Sequence, residues 1–248
     1  MQLDLLLRSM PQEMAHKAWV IIRCSDTGYY NGYLRIIDEH EGMFVFQSDF
    51  KRDVIEAINP VDGLTVFFTD DDVFINPMPT IPNLEADPPM SCISLRLHPN
   101  MDYCYTMDKK QKRPDIVSVC PANTDCFLTW EWGSADADYG YPMSLDGHVF
   151  RTADILPLLQ QLGYHDPNSL EGQLARHPIK RPYMACFDRS IIVNNPINRV
   201  QNTARNRHGD ISARELNDLW LSGKRIKLDP FKGYENKACH EEIPLEFE

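Results

Sequence analysis

Three consecutive aspartates, Asp70, Asp71 and Asp72, stand directly after the apolar run Leu64-Thr65-Val66-Phe67-Phe68 and Thr69, and before Val73-Phe74-Ile75. Carboxylates packed this closely repel one another, and each tends to take up a proton unless a cation is shared among them. Mg²⁺ or Mn²⁺ answers that need. Both prefer oxygen ligands and commonly bind one or two carboxylates together with substrate phosphates. Asp70 and Asp72 form a D-x-D pair suited to hold such an ion. The bland alternative is a solvated acidic turn. The apolar run argues against it, because a buried strand delivers its last residues to the sheet edge where α/β proteins bind ligands.

Other side chains invite chemistry one by one. Asp146 precedes Gly147, which permits a tight turn that leaves the carboxylate accessible to act as a general base; equally, the pair is a plain turn before the strand His148-Val149-Phe150. Arg96 lies in an otherwise apolar strand and requires a carboxylate or phosphate partner, with Asp70 or Asp71 the expected structural one. Trp130 and Trp132 flank Glu131 on an aromatic strand, where indoles stack on sugars and a carboxylate accepts from sugar hydroxyls; a core pair is the commoner fate of Trp. His148 reads as a packed core histidine. Asn194 and Asn195 read as site contacts or as a turn before Pro196. Arg199, Arg205, Arg207 and His208 form a basic cluster able to close over a diphosphate, or simply a solvated one.

The elements that must position these residues alternate. Helices are expected over Gln2 to Met10, Gly28 to His40 and Asp49 to Ile58, with strands at Trp19 to Ile22, Met43 to Phe46 and Leu64 to Phe68. That alternation predicts a mostly parallel sheet covered by helices. A Pro-rich stretch runs from Asn76 to Pro89. Further strands are expected at Ser91 to Leu97, Phe127 to Trp132 and Ile191 to Val193. Lys109 to Arg113 and Ser134 to Gly140 read as loops. Pro157 belongs in a first turn, so the helix around Ile155 should be capped at Asp154. Asn168 with Glu171 and Ser212 with Glu215 look like capping boxes.

The whole chain has 248 residues, a formal net charge of -11 and 7 Cys. Such acidity argues against a nucleic-acid or anionic-membrane surface. No apolar run spans a bilayer, and the start Met1-Gln2-Leu3-Asp4 is too acidic for a signal peptide. The cysteines are scattered with no CxxC pair, which suggests neither a zinc site nor a disulfide framework and fits a reducing cytoplasm.

The segment Phe67-Phe68-Thr69-Asp70-Asp71-Asp72-Val73-Phe74, with the alternation before it, resembles the GT-A superfamily of glycosyltransferases. The likeness extends to a bacterial family-2-like group through Ser94-Leu95-Arg96-Leu97, Tyr141 to Arg151 and Pro167-Asn168-Ser169-Leu170-Glu171, so it covers nearly the whole chain. It implies a Rossmann-like α/β domain over 1–248, with 1–90 as the nucleotide-sugar-binding half and 91–248 as the acceptor-binding half. It implies transfer of a sugar from a UDP- or GDP-linked donor to a glycan or other hydroxyl acceptor, such as a growing surface polysaccharide. Asp70 and Asp72 would hold Mn²⁺ or Mg²⁺, and Asp146 would be the base. His240 would complete the metal site by position, with His208 its competitor. By their own chemistry rather than by the resemblance, Asp71, Arg96, Trp130, Glu131, Trp132 and Arg207 are the candidate substrate contacts. Met1-Gln2-Leu3-Asp4 resembles the helix that follows the opening strand of a GT-A domain, so that strand and its nucleotide-cradling loop are expected to be missing. Two other readings use the same acidic strand end: a nucleotidyltransferase, which would want a Gly-rich basic loop, and a catalytically silent glycan-binding or scaffold relic.

Overall fold

The computed structural model describes residues 1–85, 88–122, 124–197 and 209–248. The basic cluster with Arg207 and His208 lies outside the described residues. The first half begins as expected. Helix α1 (Gln2–Ser9) and the short α2 (Gln12–Ala15) precede strand β1 (Trp19–Ile22), helix α3 (Thr27–Glu39), strand β2 (Met43–Phe46) and helix α4 (Phe50–Ile58). Asp26 and Asp49 cap α3 and α4 by accepting backbone N–H groups of the first turn. β1 and β2 pair in parallel, as a β-α-β unit requires.

The main sheet corrects the expectation of a mostly parallel one. It is built from β3 (Leu64–Val66), β5 (Met90–Ser94), β8 (Val117–Val119), β9 (Phe127–Glu131), β10 (His148–Arg151) and β11 (Tyr183–Cys186), in the order β3-β10-β5-β11-β9-β8. Only β5 and β11 run parallel; the other neighbours are antiparallel. The cause is connectivity. A parallel pair needs a crossover of a dozen or so residues, and one with helices exists between β5 and β11, whereas β8 and β9 are joined by a short loop. Two small pairs complete the strands: β4 (Asp72–Phe74) with β12 (Ile192–Asn194), and β6 (Tyr103–Cys104) with β7 (Lys109–Lys110). The expected basic loop is therefore partly a hairpin.

Helices α5 (Thr152–Gln161), α6 (Pro167–Arg176) and α7 (Ala213–Leu221) follow β10, α5 and β12 respectively. One apolar cluster joins α4, α5 and α6 to the sheet through Val54, Ile155, Leu159, Leu170 and Phe150. A second joins α1 to it through Leu3, Leu6, Leu7, Ile93 and Ile192. Among the described residues no helix is long and apolar enough to cross a membrane.

Two local expectations fail for stated reasons. α5 starts at Thr152, not after Asp154, so Pro157 lies inside it. The start is fixed from outside the helix: Thr152 donates its backbone N–H to Gly63 O at 2.9 Å, and its hydroxyl bonds that of Thr65 at 2.9 Å. Cys120 and Cys126 form a disulfide, against the expectation of none. Antiparallel pairing sets Val119 opposite Phe127, so the next pair in register is these two cysteines, with Cα atoms 4.2 Å apart.

Candidate functional site

Strand register assembles the acidic site. β3 runs antiparallel to β10 with Val66 opposite Val149. Carried three residues further, that register sets Thr69 beside Asp146, and the Thr69 hydroxyl donates to Asp146 Oδ1 at 3.0 Å. β5 pairs β10 with Ser94 opposite His148, so Arg96 falls beside the same aspartate, and its Nη1 lies 3.1 Å from Asp146 Oδ2. The expected partner of Arg96 was Asp70 or Asp71; the register gives it Asp146 instead.

The aspartate triplet does not simply continue β3. The strand ends at Val66, a turn closes with Asp72 N–H donating to Thr69 O at 3.1 Å, and the chain leaves the main sheet for β4. Asp70 is exposed and lines a cavity of about 90 Å³ with Tyr29, Tyr33 and Trp220, while Asp71 is half-buried. Asp72 opens β4 and is wholly buried. Its carboxylate accepts from Thr69 N at 2.9 Å and from Asn194 Nδ2 at 3.4 Å. Asn194 stands opposite Asp72 in the β12–β4 pair and is bridged on its other side to His240. That bridge carries His240 in, and its Nε2 lies 3.4 Å from Asp146 Oδ2. Tyr105 stacks on the imidazole with ring centroids 6.3 Å apart.

The charge balance of this cluster is uneven. Asp71, Asp72 and Asp146 converge, Asp70 faces the cavity with Tyr29 and Tyr33 instead, and Arg96 is the Arg or Lys ion-paired to the cluster among the described residues. Burial works to raise the pKa of Asp146, but the His240 hydrogen bond and the Arg96 charge outweigh it and hold the carboxyl well below its ordinary range. Burial, with Asp146 and Asp71 nearby, drives Asp72 well above that range. Burial and the charges of Asp70 and Asp146 push Asp71 up to about 6. Two polar atoms of the cluster, His240 Nδ1 and Asn194 Oδ1, are buried without a hydrogen-bond partner among the described residues. Both would suit a cation or a ligand hydroxyl.

An ion of the Mg²⁺ or Mn²⁺ kind fits this donor chemistry, since the site offers carboxylate and amide oxygens, one imidazole and an excess of negative charge. The donors are not already gathered around a point, however. Among the described residues no group of three His, Cys, Asp or Glu side chains is close enough to hold an ion as it stands.

The structure leaves the aromatic strand apart from this cluster. β9 stands three strands from β10 in the sheet order, or about 14 Å at the usual spacing. Trp130 is 1% exposed and donates its indole N–H to Tyr139 O, which makes it a core residue. Trp132 opens a 3₁₀ turn and donates to Arg181 O. Glu131 is exposed and accepts from the Tyr183 hydroxyl at 3.5 Å. With Trp130, Lys112 and Arg113 it lines a separate groove of about 580 Å³.

His148 is fully buried, and burial with Arg96 nearby lowers its pKa to about 3, so it is a neutral core residue held by Pro142 O. Asn195 clasps the backbone of Ile243 and serves structure. Three contributors were not foreseen: Thr69, Ser144 and Glu171. Thr69 had a signal in its place just before the triplet. Glu171 was assigned to a helix cap; instead Asp166 and Ser169 form the capping box of α6, which frees Glu171 to accept from Ser144 Oγ at 3.0 Å and Leu145 N at 3.1 Å.

Comparison of the chain with family models, with curated proteins and with solved structures finds no match.

Proposed function

We propose that this protein is a metal-dependent glycosyltransferase of GT-A type, moving a sugar from a nucleotide-diphosphate donor, UDP- or GDP-linked, to an acceptor hydroxyl. One observation carries the reading. Asp72, Asp146, Asn194, Arg96 and His240 come from segments far apart in sequence, and strand register brings them to one place beside Asp71, three carboxylates to one guanidinium.

In this reading Asp70, Asp72 and His240 would hold Mn²⁺ or Mg²⁺, which when bound would supply Lewis-acid neutralisation of charge on a diphosphate leaving group. The chain's own residues do the rest. Asp146 is ionised at neutral pH and sits beside the buried Asp72, so it is the group to take a proton from an acceptor hydroxyl. While Arg96 and His240 both contact it, its basicity is low; loss of the His240 contact on substrate binding would raise it. Arg96 keeps Asp146 from turning away, and Thr69 links Asp146 to Asp72.

Calorimetry with UDP or GDP plus Mn²⁺ tests the reading. Binding should require the metal, vanish in EDTA and vanish in Asp72→Ala, which should also abolish transfer. Tight nucleotide binding that ignores EDTA would sink it. A catalytically silent glycan-binding relic is favoured by one observation, the complete burial of Asp72 without a ready ligand set among the described residues. It predicts no heat in the same titration.

A further inference from the structure

Glu171 is a half-buried carboxylate that feels the Arg96 charge but makes no ion pair among the described residues. It projects from the second turn of α6, a helix whose start is fixed by Pro167 and by the Asp166–Ser169 capping box. Its Oε1 accepts from both Ser144 Oγ and Leu145 N–H, at 3.0 and 3.1 Å. Ser144 Oγ in turn accepts the Asp146 N–H at 3.2 Å. A relay therefore runs from the helix to the backbone of Asp146.

The opposite flank of the corner is pinned too. Gly147 donates its N–H to Phe67 O at 2.8 Å and accepts from Leu95 N at 2.9 Å. Its φ of +66° suits glycine, and a Cβ there would lie 2.1 Å from Ile192 Cδ1. The sheet fixes Gly147, so the freedom that remains to Asp146 is on its N-terminal side, which Glu171 holds. Burial and the Asp146 charge both disfavour an ionised Glu171, yet the two N–H and O–H donors are arranged to receive its oxygen.

We propose that Glu171 is the positioning residue for Asp146, holding the 144–146 corner through Ser144 and Leu145 so that the aspartate meets Thr69, Arg96 and His240. The inference rests on the glycosyltransferase reading for the use of Asp146, and on the relay alone for the clasp.

The test compares E171A, E171Q and S144A with the unaltered full chain. Amide hydrogen exchange at Leu145 and Asp146 reports the clasp without reference to activity. Metal-dependent turnover of UDP- or GDP-sugars reports its use. E171A should speed exchange at both amides by at least about tenfold while the amides of β5 and β11 stay protected. It should lower kcat by about 100-fold with little change in KM, as expected when a reacting group shifts by about an ångström. E171Q, which keeps the accepting oxygen, should restore both readouts. If E171A fails to fold, S144A breaks the relay at its middle and should free the Asp146 amide alone. Unchanged exchange in these variants overturns the proposal, as does faster exchange with undiminished kcat. An unaltered chain that neither turns over nucleotide-sugars nor binds UDP or GDP with Mn²⁺ overturns the reading of the site; the exchange data then still decide the clasp.

Discussion

At the residue scale, the site concentrates unneutralised carboxylate, and stability should show it. Asp71 has its pKa pushed up to about 6, against about 3.8 in an open chain. Between those values the folded protein binds more protons than the unfolded chain, so stability falls as pH rises through about pH 4 to 6. In metal-free protein, Asp71→Asn should remove that loss. The partial exposure of Asp71 screens the effect to about 1 kcal/mol, or roughly 2–4 °C in Tm at pH 7.5, with no gain at pH 4. Melting curves at the two pH values decide it; an equal gain at both would mean that repulsion is not the cause. The triplet and Asp146 were legible in the sequence, because aspartates after an apolar run and before a glycine announce themselves. The partner of Arg96 was not: residue type shows that a buried guanidinium wants a carboxylate, but strand register chooses which one.

At the element scale, helix signals in the sequence were reliable where they lay within one turn and misled where two patterns overlapped. The Ser212 cap of α7 stands where the Ser-x-x-Glu pattern put it, with Ser212 accepting from Glu215 N–H. Around α6 the pattern Asn168-x-x-Glu171 competes with Asp166-x-x-Ser169, and the second one forms because Pro167 fixes the first helical residue. Asp166→Ala should therefore cost about 1 kcal/mol, measured by denaturant unfolding. Asn168→Ala should cost almost nothing, and a reversed ranking would refute this cap assignment. Strands such as β1, β2, β3, β5, β9 and β10 were legible from short apolar runs, whereas β8, β11 and the Lys109–Lys110 hairpin strand were not expected. Strand direction was not legible, since an apolar run reads alike in either sense and direction follows from the connections around it.

For the whole molecule, one buried ionic network ties the start of the described chain to its end. Asp4 has a fully buried carboxylate that meets Arg8 at 3.0 Å, His40 at 2.9 Å and Arg225 at 3.9 Å. The guanidinium groups of Arg35 and Arg225 lie 4.1 and 5.5 Å from the Trp220 ring. Burial works to raise the pKa of Asp4, but His40, Arg8 and Arg225 outweigh it and hold it low. The stability this contributes is present above the ordinary carboxylate range and is lost as pH falls through the depressed folded value. Asp4→Ala should cost roughly 2–3 kcal/mol, because it removes the buried acceptor shared by Arg8 and His40 while Arg8 keeps Glu248 and Arg225 keeps Glu39, and should lower Tm by about 5–10 °C. A loss under about 1 kcal/mol in chemical unfolding would show that the network is not buried in solution. The sequence by itself determined the helices, most strands, the acidic turn and the aspartate before Gly147, since these follow from periodicity and local backbone preference. Tertiary structure alone decided the mostly antiparallel sheet, the Cys120–Cys126 disulfide, the removal of Trp130 to the core and the meeting of Asp72, Asp146 and His240. Those depend on which strands become neighbours, and in which register, among segments far apart in the chain.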